Sequence, residues 1–285
     1  MKQKLLYLVS LLLISLCGKA QENNSLVWKI SGKNLKEPSF LVGTIHMICS
    51  DDYFFPEKME AAFAKTNQLI LEADLSNEEN NAKLQHSLLL DNQDKSLKAI
   101  LKEEDYPLLE EYLSSHNIKL EEFEMLKPFA LLSAITLNDF NCDRMTSYEE
   151  EIMNMSIEKP RPIVGLESPE YQLSLFDSLS NEEMRTLLMS HIKQDTPNEE
   201  MGNNMVSLYK SENIDELYKL IISSPEYKNH VPLFLSNRNK NWMKKLPALM
   251  ETKSSYIAVG AGHLGGKDGL IALLKKAGYT VEPLK

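Results

Sequence analysis

Apolar runs of two kinds alternate along this chain of 285 residues. Short, β-branched runs bounded by Gly and Pro read as strands. LVWKIS (26–31) and SFLVGTIH (39–46), with GKNLKEP between them, predict a hairpin. NQLILEAD (67–74) predicts a third strand, reached through PEKMEAAFAK, a short helix with Pro56 at its start. RPIVGLE (161–167) and SYIAVGAGH (255–263) predict two more strands, and YTVEPL closes the chain. Over residues 78–158, leucines recur at helical spacing on a charged background, as in YPLLEEYLSSH and FALLSAITL. Ser168-Pro169-Glu170 places a cap and a first-turn proline on the helix PEYQLSLFDSL. Ser180 with Glu183 forms a capping box for NEEMRTLLMSHIK, and helices broken at Pro225, Pro232 and Pro247 fill 197–250. This order predicts an α/β fold: a central mixed sheet with flanking helices and a large helical insertion at about 78–158.

The first twenty residues stand apart. Lys2 and Lys4 precede the apolar run LLYLVSLLLISL, and GKA ends in a small residue at Ala20. The pattern predicts a signal peptide, residues 1–20, cut before Gln21 and too short to span a bilayer comfortably. A lipid anchor on Cys17 is disfavoured by the large Leu16 before it. The mature protein, 21–285, is expected to be one exported domain, periplasmic or extracellular. Cleavage removes Lys2, Lys4 and Lys19 and takes the net charge from −10 to −13. So acidic a surface argues against nucleic acid and anionic membranes as partners. No later segment is apolar enough for a membrane helix. Cys49 and Cys142 remain, and an oxidising compartment permits a disulfide whose geometry the sequence leaves open.

The chemistry concentrates at predicted strand ends. VGTIH (42–46) and VGAGH (259–263) share a strand, a glycine, two residues and a histidine; VGLE (164–167) is one residue shorter and ends in a carboxylate. His46, Glu72, Glu167 and His263 thus all fall at or just past strand ends, where open α/β sheets place their functional crevice. Two imidazoles and two carboxylates suit a divalent metal such as Mn, Co or Zn, which would acidify bound water and polarise a substrate oxygen. A carboxylate not bound to metal could act as general base. The glycine before each histidine is expected to let the backbone turn sharply. Blander readings stand beside these. A strand-end histidine can be structural, Glu72 and Asp74 can face solvent, and Glu167 can favour the start of the next helix. Cys49, three residues after His46, can be a ligand, a buried thiol or half of a disulfide. Gly260, Gly262 and Gly265 also spell G-x-G-x-x-G, with Glu282 at the distance of a ribose-binding acid, but this unit closes the chain instead of opening a nucleotide-binding domain. Neither a G-x-S-x-G elbow nor an H-E-x-x-H helix is present.

Together these runs resemble the TraB/GumN group, also called the TIKI/PrgY group. The matching blocks are FLVGTIHM…YFFPEKMEAAFAKTNQLILEADL, LKPFALL, GLESPEYQLSLFDSLSNEE and NRNKNWMKKL…YIAVGAGHLGGKDGLIALLKKAGYTVEPL. The resemblance implies an α/β core related to erythromycin-esterase-like and ChaN-like folds. It also implies a metal-dependent, protease-like hydrolase using His46, His263, Glu72 and Glu167, with Arg238 of NRNKNW as a pocket residue that steadies developing negative charge. A peptide or other small substrate is the implied partner. One departure stands out: the GLD expected before GLE is replaced by TSYEEEIMNMSIEKPRP, with Tyr148 and Glu149 in that neighbourhood. The alternative is a non-catalytic module of the same fold that sequesters a peptide or glycan.

Overall fold

The computed structural model describes residues 24–138, 140, 142–193 and 198–285; the leader read from the sequence lies outside these residues. The strands are β1 (Val27–Ser31), β2 (Ser39–Thr44), β3 (Ile48–Cys49), β4 (Gln68–Ala73), β5 (Met145–Thr146), β6 (Ile163–Glu167), β7 (Ser255–Gly260) and β8 (Thr280–Pro283). Six of them form one sheet in the order β6-β4-β7-β2-β1-β8, and β3 pairs with β5 in a separate two-stranded ribbon. β6, β4, β7 and β2 run parallel, while β1 opposes both β2 and β8. The expected mixed sheet and the β1–β2 hairpin are therefore present.

Parallel strands buried on both faces read as continuous apolar runs, as β2 and β7 do. The last of the parallel strands to form along the chain, β7, slots between β4 and β2 and creates a switch in strand order. All four carboxyl ends there lie on one edge, the edge at which such sheets bind ligands.

The expected helical insertion lies between β4 and β6, and its helices serve two cores. Tyr148 and Ile152, on the helix Tyr148–Glu158, belong to the sheet's own core, with Phe63, Tyr209 and Trp242. The helices Tyr106–Ser115 and Pro128–Asn138 instead join the later helix Asn181–Ile192 in a second core built on Leu109, Leu131, Ile135 and Leu188. Two separate chain segments thus share one helical lobe. Among the described residues, no helix is long and apolar enough to cross a membrane.

Candidate functional site

Glu72 is a single carboxylate in the otherwise apolar strand QLILEA and is only 6 % exposed. A charge so buried needs partners. Its Oε2 accepts from Arg238 Nη2 at 2.5 Å and from Gln172 Nε2 at 3.2 Å, and its Oε1 accepts from the Gly260 N–H at 2.8 Å. Burial alone would raise its pKa. The charges of His263 (when protonated), Arg238 and His46, with the Gly260 N–H, outweigh that and hold the carboxyl ionised well below the usual range.

Arg238 comes from the helix Asn237–Trp242, which continues directly from a π-helical turn at Pro232–Ser236. Such turns widen a helix and recur at functional sites. Arg238 grips Glu167 through Nε (3.0 Å) and Nη2 (2.9 Å), and Nη2 also reaches Glu72. Its Nη1 donates to the Phe234 carbonyl at 3.1 Å and to His263 Nε2 at 3.2 Å. A guanidinium has five N–H donors, and these contacts engage all of them. The geometry makes Arg238 the internal counter-ion of Glu72 and Glu167.

His263 sits on the short 3-10 turn Ala261–His263 after β7. Asn239 donates its amide to the carbonyls of His263 and Asp268, so its Oδ1 is left to accept from His263 Nδ1 at 2.7 Å. That fixes the ring as the Nδ1–H tautomer with the Nε2 lone pair facing Arg238. Burial pushes the ring down to about 3, against the pull of Glu72 and with the help of Arg238 and His46, so it is neutral at ordinary pH. The Trp242 ring lies beside it, 4.3 Å between centroids.

His46 is the exposed member, 63 % accessible at its side chain. Its Nδ1 donates to Glu149 Oε1 at 3.2 Å, and Glu149 is itself held by Thr44 Oγ1 at 2.6 Å and Ser147 Oγ at 3.2 Å. The Glu149 charge pushes the imidazole up to about 9 against a smaller desolvation effect, with Glu72 adding to it. Solvent at so open a side chain screens part of that attraction. The other ring nitrogen faces the site: a Cβ placed on Gly260 would lie 3.3 Å from both His46 Nε2 and Glu72 Oε1.

The two G-x-x-H glycines therefore work by close approach and not, as expected, by turning the backbone. Neither has a positive φ. Gly260 leaves room for His46, and a Cβ on Gly43 would come 3.0 Å from Leu264 and 3.3 Å from Ala261. Each motif thus supplies the space that the other motif's loop occupies. Gly262 lies against Ile221, and Gly265 and Gly266 against the Tyr218 ring, so the glycines of the G-x-G-x-x-G pattern serve packing.

All five residues singled out in the sequence converge, but the four-ligand metal set does not fit an ion as the side chains stand. Glu167 and His263 Nε2 are taken by Arg238, which leaves His46 Nε2 and Glu72 Oε1 facing shared space. Among the described residues no group of three or more His, Cys, Asp or Glu is gathered to hold a metal. Glu149 and Asn239 had no role assigned from the sequence. Tyr53 and Phe55 pack on Tyr148 and so steady the helix carrying Glu149. A cavity of about 420 Å³ lies apart from this site, in the helical lobe, and its Lys127 is already paired with Asp177 at 2.7 Å.

A family model for the TraB/PrgY/gumN family matches residues 26–283. The chain belongs to this family. No curated protein matches the chain, and neither does any solved structure. Both G-x-x-H motifs, Glu72, Glu167 and Arg238 lie inside the region matched to the TraB/PrgY/gumN family.

Proposed function

We propose that this protein is an exported hydrolase, with peptide bonds as its leading substrate, in which His46 moves the protons. The observation that carries the reading is the placement of His46: a carboxylate-bound Nδ1 on one side, and on the other a free Nε2 beside ionised Glu72. A carboxylate on Nδ1 sets the tautomer and stabilises the imidazolium that forms when Nε2 takes a proton. The working form is the neutral ring, whose share grows as the pH rises toward about 9; in this scheme a water on the Nε2 side gives its proton to that ring as the water oxygen adds to the substrate carbonyl. The imidazolium then protonates the leaving nitrogen, and the products are a carboxylic acid and an amine. Glu72 and Glu149 favour the charged ring during that step, and Arg238 keeps Glu72 fixed and ionised. Export is supported by the leader pattern and by the disulfide described below, which belongs in an oxidising compartment.

The family resemblance also brings a divalent ion into the reading as a proposal, and it has its own experiment. Protein purified without chelators is assayed for bound metal, then titrated with Mn, Co and Zn by calorimetry, alongside His46→Ala and His263→Ala. Stoichiometric binding lost in both variants would mean that Arg238 yields His263 to an ion, and the reaction then uses metal chemistry. No binding in any case leaves His46 with Glu149 as the sole proton-transfer apparatus. Binding of metal without any hydrolysis would favour the sequestering module.

A further inference from the structure

The contact between His46 and Glu149 joins positions 103 residues apart, and one small device spans the gap. β3 pairs with β5 through Ile48↔Thr146 and Cys49↔Met145, and the Ser50 N–H adds a bond to the Arg144 carbonyl at 2.9 Å. His46 lies just before this ribbon and Glu149 just after it. The helix bearing Glu149 starts at its cap, Ser147, directly after β5. A ribbon of two residue pairs is too short to be stable alone. A disulfide between Cys49 and Cys142, with Cα atoms 5.9 Å apart, closes its base across 93 residues, including the early part of the helical lobe. The remaining supports of Glu149 are Thr44 and Ser147, with its helix seated in the sheet's core through Ile152 and through Tyr148, which packs on Tyr53, Phe55 and Tyr209 and accepts from the Phe54 N–H; these hold the helix, while the disulfide ties the ribbon that leads into it.

We propose that Cys49 and Cys142 are positioning residues for the site: their disulfide holds Glu149 on His46, and opening it uncouples that pair while the central sheet stays folded. Opening by a dithiol transfers two electrons and two protons to the sulfurs, giving two thiols, and the reductant departs as its own cyclic disulfide. The sheet survives because its ladder does not run through the ribbon: β7 is hydrogen-bonded to β4 on one side and β2 on the other, all three are buried, and the ribbon adds Ile48 to their core. The inference rests on the proton-transfer role proposed for His46, but its structural half can be read without any substrate.

The test uses the mature chain as oxidised wild type, wild type reduced with dithiothreitol and Cys49→Ser/Cys142→Ser, each with and without Glu149→Gln. Hydrogen exchange by mass spectrometry comes first. Amides of residues 144–150 should exchange faster in the reduced and serine forms, with those of β2 and β7 unchanged. Unchanged exchange at 144–150, or equal loosening of β2 and β7, would overturn the proposal whether or not the protein is a hydrolase. Where a peptide is cleaved, loss of the disulfide should lower kcat by about tenfold or more with Glu149 present. In the Glu149→Gln background the same loss should be less than about twofold, because the two changes act on one contact. Equal factors in both backgrounds would show a merely structural disulfide and sink the claim. Reduced wild type serves as the control if the serine variant folds poorly.

Discussion

Arg238 has a protein acceptor for every N–H it carries, so its removal should be felt first as lost stability. Arg238→Met leaves Glu72 and Glu167 buried without their counter-ion, and breaking such a pair costs about 3–5 kcal/mol. Urea denaturation should show that loss, and Arg238→Met/Glu167→Gln should recover part of it because one orphaned charge is gone. A cost within about 1 kcal/mol, the range of exposed pairs, would contradict the burial argument. The motif glycines make a paired prediction. In Gly43→Ala the new methyl meets Leu264 and Ala261, and overpacking of this kind costs about 1–3 kcal/mol of folding stability. In Gly260→Ala it meets His46 and Glu72, so hydrolysis should fall by about tenfold with a smaller stability cost. Equal effects of the two on both measurements would refute the division of labour.

Between elements, the helical lobe is tied by a buried ion pair far from the chemistry. Asp105, fully buried just ahead of the helix Tyr106–Ser115, accepts from Arg185 Nε at 2.5 Å and Nη2 at 2.8 Å; Arg185 lies on the helix Asn181–Ile192. The Arg185 hydrogen bonds, working against desolvation and aided by the Lys102 N–H, pull the Asp105 carboxyl down to about 2 from its usual 3.8. A depressed carboxyl stabilises the fold above its unfolded pKa. That contribution is therefore complete above about 4 and disappears as the pH falls through about 2. Denaturant midpoints measured from pH 6 to pH 2 should fall in wild type across that window, and Asp105→Asn should be less stable at pH 6 with a flatter acid limb. An unchanged slope in the variant would remove Asp105 from the account. The six strands of the main sheet were readable at this scale as apolar runs punctuated by Gly or Pro, whereas β3 and β5, two residues each, carry no such pattern. Sharing of the lobe by two chain segments was not readable either, since leucine spacing marks a buried face without naming what covers it.

Across the whole molecule, parallel strands bring His46, Glu72, Glu167 and His263 from well-separated positions to one sheet edge. Their location past strand ends was legible because strand, glycine and histidine recur as a unit. Glu149 was legible only as a neighbour of the missing GLD, for a physical reason: it is the second residue of YEEEIMNM, where three acids in a first turn read as ordinary helix-dipole partners. Nothing local marks which of them is turned inward. NRNKNW likewise reads as a solvated helix face, yet Arg238, Asn239 and Trp242 are all buried. The slot that β7 occupies between β4 and β2 is set by long-range packing, and it decides which histidine meets which carboxylate. The central claim is that these groups form one hydrolytic site, and it is tested most directly by incubating a broad peptide library with the mature protein, with and without Mn, Co or Zn. The account predicts cleavage by wild type and its loss in both His46→Ala and His263→Ala. An intact library under every condition, or cleavage that neither substitution alters, would contradict it.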